Sequence, residues 1–283
     1  MGFNSVDGFL YALLGLVAVS VVANMVLVWV ATSVRDKGRE VRLALALAGV
    51  DIVLAMLVMS NFILKLAKVS NMEMVCQIKG PLDFIFIFTS MALVSIISIE
   101  RSSIAVSKRA AAGVWALLGL VTSIFLGLVC IEAIRKEFTV SASGLACAPV
   151  ASKSPLSAAL LLVLSSSLFV FLLMTVMSYL RILIILGEWG STERKNEMFT
   201  PILRRKPVMH RILVIATIYF LLLAPCSLAI LVESLNLIKE ADLASTIVSL
   251  LLVTVSIANP CVILFAHTAI YRQLCFKLTN MFG

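Results

Sequence analysis

Three acidic residues stand in stretches that are otherwise apolar: Asp51 in Leu47-Ala48-Gly49-Val50-Asp51, Asp83, and Glu100, which Arg101 follows directly. A carboxylate in such surroundings can bind a cation, exchange a proton or pair with a base, and each role needs a partner close by. Neutral polar residues recur in the same setting: Asn24, Ser90, Ser256 and Asn259. Together with Asp51 they form a set of oxygen ligands suited to a small hard cation or a proton, and equally a set of hydrogen bonds between helices. Catalysis finds no such support. The two histidines, His210 and His267, fall at the ends of different apolar stretches, and no Ser/His/Asp or metal-ligand spacing occurs, so an enzyme is not expected.

What must position these residues follows from composition. The chain has 283 residues, 61% hydrophobic and only 13% charged, against roughly a quarter charged in a soluble domain. Its mean hydropathy is +1.11. Such a chain is an integral membrane protein whose main solvent is lipid, and the scarcity of Pro and Gly excludes a collagen-like or disordered one. Apolar runs of about 18 to 25 residues, enough to cross a bilayer as helix, lie at about 8–32, 43–67, 79–104, 112–134, 156–186, 209–233 and 243–267. The expected fold is therefore an all-α membrane protein, a seven-transmembrane helix bundle forming one domain over 1–283, with a short amphipathic helix at about 270–282 after the seventh span. Asp51 falls near the middle of the second span, Asp83 one turn into the third, and Glu100 and Arg101 at the third span's far end. Glu132 and Glu233 sit near span ends, where a carboxylate can snorkel to water. Pro225 and Pro260 fall inside the sixth and seventh spans, where each removes a backbone hydrogen bond and kinks the helix.

The net charge of +8 is sorted by loop rather than spread over a face for nucleic acid. Sixteen of the 23 Lys and Arg residues, among them Arg35, Arg39, Arg101, Arg181, Arg204 and Arg272, fall in the first, third and fifth loops and the tail. Basic residues concentrate on the cytoplasmic side, so the amino terminus is expected outside and the carboxyl terminus inside. That basic face suits anionic lipid and an acidic partner surface alike. Met1 to Asp7 is too short to be a cleaved signal, and the first span is expected to remain as an anchor. Gly187 to Pro207 has the composition of a polar loop, with Pro201 and Pro207 as breakers.

The order of these features resembles the rhodopsin-like (class A) G-protein-coupled receptors. The resemblance rests on Asn24, Leu47-Ala48 before Asp51, Cys76 and then Glu100-Arg101 at opposite ends of the third span, Pro225, and Asn259-Pro260. It covers the chain from the first span to the surface helix. It implies a receptor that takes an extracellular ligand in the outer half of the bundle and activates a heterotrimeric G protein. Glu100 and Arg101 would form the inner ionic switch, with Tyr179 swinging toward Arg101 on activation. Asp51, Ser90, Ser256 and Asn259 would form a sodium pocket, in which Asp51 and Ser90 ligate the ion; no other cofactor is implied. Asp83, seven residues after Cys76, stands where amine receptors keep the carboxylate that pairs with a ligand ammonium; its other reading is a carboxylate near the outer interface paired with Lys79, one turn earlier. The chain departs from the family pattern at Ile263, where the seventh-span motif ends in Tyr, and at Leu223, where the sixth span carries Trp. It reads as a divergent member.

Six cysteines add constraints. Cys76 and Cys147 both fall on the expected oxidising side and are expected to form a disulfide, as in the family, with Cys130 open as another partner. Cys275, beside Phe276 and Lys277, is a candidate for palmitoylation. A rival reading is a small ion- or proton-coupled transporter or channel using Asp51, Asp83 and Glu100, although no internal repeat supports it. A light-driven retinal protein needs a lysine in the seventh span, and Ser245 to His267 contains none.

Overall fold

The computed structural model describes residues 5–35, 38–67, 71–102, 108–140, 147–150, 154–193, 202–235, 241–266 and 268–282. Eight helices and one small hairpin follow in order: α1 (Ser5–Thr32), α2 (Arg39–Leu66), α3 (Met72–Ser102), α4 (Lys108–Arg135), β1 (Phe138–Val140), β2 (Cys147–Pro149), α5 (Pro155–Glu193), α6 (Ile202–Ser234), α7 (Ala241–Ala266) and α8 (Thr268–Phe282). Long apolar segments become helices because hydrocarbon offers the backbone no partner, so every N–H and C=O must be satisfied within the segment. Among the described residues, six helices carry apolar stretches long enough to cross a bilayer, and α7 adds a shorter one, Leu250–Leu264.

Neighbouring helices close a ring in which α1 touches α2 and α7, α2 touches α3, and α5, α6 and α7 pack in sequence. α3 runs through the centre, packed on α2, α4, α5 and both strands. Aromatic rings fix it there: Phe88 stacks on Phe125 of α4 at 4.2 Å between centroids and meets Phe171 of α5 edge-on at 5.2 Å. Large apolar side chains such as Val22, Met25, Ile124 and Ile134 face outward. In water that surface would drive aggregation; against lipid tails it is matched to its solvent.

Several boundaries differ from the expected ones. α3 begins at Met72 rather than near 79, which places Cys76, Lys79 and Pro81 inside the helix. α5 runs on to Glu193 and α6 starts at Ile202, so most of the expected polar loop is helical and Pro207 lies within α6. Polarity outside a bilayer does not end a helix, and no proline lies between Pro155 and Pro201.

The other departure from an all-helical reading is the hairpin. α4 ends on Lys136, whose φ of 58° puts it in the left-handed region. Lys136 N–H donates to the Ala133 carbonyl and Glu137 N–H to the Glu132 carbonyl, each at 3.2 Å, which closes the helix end and turns the chain back. β1 and β2 then pair antiparallel, with Phe138 opposite Pro149 and Val140 opposite Cys147. α5 begins with a cap: Ser157 N–H donates to Ser154 Oγ at 3.0 Å, and Pro155 takes the first helical position.

Candidate functional site

The polar residues of the spans converge in the middle of the bundle. Asp51 of α2 is fully buried, and both its oxygens are engaged. Ser90 Oγ of α3 donates to Oδ1 at 2.6 Å, and Asn259 Nδ2 of α7 donates to Oδ2 at 2.8 Å. Asn259 Nδ2 also lies 3.4 Å from Ser90 Oγ, and Tyr219 OH of α6 donates to Asn259 Oδ1 at 3.1 Å. α2, α3 and α7 thus meet at one carboxyl group, and α6 joins them through the Asn259 amide. On the α1 side, Asn24 Nδ2 donates to the carbonyls of Ser20 at 3.0 Å and Ser256 at 3.1 Å. Ser256 therefore enters through its backbone, because α7 presents that carbonyl to α1. Asn24 Oδ1 and Ser20 Oγ are buried without a hydrogen-bond partner.

The donor set fits a small hard cation. The oxygens of Asp51 and Ser90 are of the kind such an ion takes, while the Asn259 amide turns Nδ2 to Asp51 and Oδ1 to Tyr219.

Asp83 is also buried, but toward the end of the bundle that carries the hairpin. Lys79, one turn earlier on α3, places Nζ 3.2 Å from Oδ1 and 3.1 Å from Oδ2, and Asn61 of α2 adds a hydrogen bond. Cys76 and Cys147 form a disulfide with their Cα atoms 5.1 Å apart, tying β2 to α3, while Cys130 is free. Phe138 of β1 fills the space beside Gly80, where a Cβ would collide with its ring, and meets Phe84 edge-on at 5.5 Å.

At the opposite end, Glu100 Oε1 is 2.9 Å from a guanidinium nitrogen of Arg39 on α2. The side chain of Arg101 lies outside the described residues. Tyr179 is buried in α5 and shares a small cleft with Tyr219, Leu47, Val94, Ile97 and Ile263. Pro225 and Pro260 lie within α6 and α7, the first exposed and the second buried. Cys275 is free and exposed on α8, which is held to α1 where Lys277 Nζ sits 3.8 Å over the Trp29 ring and donates to the Trp29 carbonyl at 3.2 Å.

Tyr219 and Arg39 were not singled out by sequence, whereas Lys79 stood as the partner in one reading of Asp83, and the structure pairs the two. Tyr219 offered a signal, a hydroxyl within an apolar run that had to find a partner. The three acids do not form one path. Asp51 is held by Ser90 and Asn259, Asp83 by Lys79 and Glu100 by Arg39, each locally.

Comparison with known proteins agrees with this architecture. Residues 23–263 match the family described as 7 transmembrane receptor (rhodopsin family). The crystal structure of squid rhodopsin superposes with a TM-score of 0.70 at 15% identity, covering 97% of this chain and 87% of that one, which shows a shared fold. No curated protein matches significantly by sequence. With its seven membrane helices, its α3-to-hairpin disulfide and a family match spanning most of its length, the chain belongs to the rhodopsin family of seven-transmembrane receptors.

Proposed function

We propose that this receptor sits in the cell membrane with its amino terminus outside, binds an extracellular ligand in the outer half of the bundle, and activates a heterotrimeric G protein at the inner face. The observation that carries the reading is the network at Asp51, because it joins α2, α3, α6 and α7 through side chains that can exchange partners. A ligand that favours one arrangement of those bonds shifts the population of bundle states by its difference in affinity for them. Asp83, beneath the disulfide-tied hairpin and paired with Lys79, belongs to the ligand end. Glu100, Arg101 and Tyr179 form the coupling end, with Pro225 and Pro260 as the pivots between. Asp51, Ser90, Asn259 and the neighbouring Ser256 would hold a sodium ion, which supplies positive charge to the buried carboxylate. Palmitoylation of Cys275 would add a second hold on the membrane for α8.

A ligand library read by sensors for each G-protein class tests the reading. A response in wild type that disappears in Arg101→Ala at equal surface expression is expected. No difference between the two in any sensor would contradict it.

A further inference from the structure

The ion pair on α3 bears on what kind of ligand the outer half accepts. Lys79 and Asp83 are each only 6% exposed. The Lys79 ammonium bridges both carboxylate oxygens, at 3.2 and 3.1 Å, from one helical turn away. The hairpin closes over this place: Phe138 packs on Gly80, the residue next to Lys79, and Cys147 Sγ lies 4.0 Å from Asn61 Oδ1. A carboxylate at this depth needs a cation, and here the chain supplies it. A cationic ligand at Asp83 would have to displace Lys79 and leave its ammonium buried with no anion, and uncompensated burial of that kind is strongly unfavourable.

We propose that Lys79 is a tethered ammonium filling the cation position of Asp83, a specificity-determining residue that closes the site to amines, so that the ligand carries no net positive charge. The proposal rests on the reading that the outer half binds a ligand. Its physical core, that Lys79 fills a place a free amine could take, is testable without any signalling readout.

Lys79→Ala removes three methylenes and the ammonium, the size of n-propylammonium. The probe is n-propylammonium chloride, against sodium chloride at equal ionic strength, with the thermal unfolding of the purified full chain as readout. Lys79→Ala is expected to unfold at lower temperature than wild type and to regain part of the loss in a saturable way with n-propylammonium. Wild type and Lys79→Ala/Asp83→Ala are expected not to respond. A wild type stabilised as much as Lys79→Ala, or a Lys79→Ala protein with no saturable response, overturns the proposal. Should Lys79→Ala not reach the cell surface, recovery of its surface expression by n-propylammonium in the medium supports the proposal, and failure to recover while Lys79→Ala/Asp83→Ala is expressed overturns it. A ligand screen completes the test: an agonist that is a monocationic amine, losing potency on Asp83→Asn, also overturns it. Loss of G-protein signalling would leave the thermal result standing, so the two readings fail separately.

Discussion

Asn259 on α7 donates to the Asp51 carboxylate on α2 across 2.8 Å and 208 residues of sequence. Both side chains are fully buried, so the contact sets how α2 and α7 lie against each other. The same amide accepts from Tyr219, which brings α6 into the arrangement. Movement of α6 is thereby linked to the carboxylate through a single side chain.

Replacement of Asp51 by Ala leaves the Ser90 hydroxyl and the Asn259 amide without their buried acceptor. Such groups cost about 1–3 kcal/mol each when unsatisfied. The unfolding temperature of Asp51→Ala should fall below that of wild type. Wild type should also unfold at higher temperature in sodium chloride than in choline chloride, and Asp51→Ala should lose that difference. Equal stability of wild type in the two salts would count against the sodium site.

Tyr219→Phe removes one hydroxyl and keeps a ring among Ile263, Val262 and Tyr179, so the fit of the cleft is retained. The change in stability should be near 1 kcal/mol, that of one hydrogen bond. Basal G-protein signalling should shift at unchanged surface expression, because the Asn259 amide loses its link to α6. A basal level identical to wild type would show that this hydroxyl has no part in switching.

Gly80 faces the Phe138 ring with no room for a methyl group. Overpacking of this kind costs about 1–3 kcal/mol, so Gly80→Ala should destabilise the chain and loosen the hairpin. Gly80→Ala combined with Phe138→Ala should be less destabilised than the sum of the two single changes, because the second clears the space the first needs. Additive losses in thermal unfolding would place the hairpin away from Gly80.

The convergence of Asp51, Ser90 and Asn259 was legible in the sequence, because isolated polar residues in apolar helices have few partners and must find one another. The Cys76–Cys147 pairing was legible from the family resemblance, with Cys130 open as another partner that the structure shows free. The hairpin was not. Its strands have three residues each, too short to display alternation, and the reversal from α4 into β1 depends on a left-handed Lys136 where glycine would have signalled it. The sequence offers Lys79 as a partner of Asp83 only at the edge of a span, because the third span is expected to start there; a start at Met72 carries it inside. Arg39 pairs with Glu100 across two helices, and sequence distance carries no trace of that contact.

The Arg39–Glu100 pair should add little stability, since the Arg39 side chain is 59% exposed and exposed pairs contribute about 0–1 kcal/mol. Its role is tested by function. Arg39→Ala should leave thermal unfolding nearly unchanged and raise basal G-protein signalling, by freeing the α3 end that carries Arg101. Unchanged basal signalling would confine the pair to the surface.

The most direct measurement is nucleotide exchange on purified heterotrimeric G proteins, catalysed by the purified chain in lipid discs with an agonist from the ligand screen. The account predicts that wild type accelerates exchange on at least one heterotrimer and that Arg101→Ala, folded to the same extent, does not. Exchange no faster than with empty discs for every heterotrimer, or equally fast with Arg101→Ala, would contradict it.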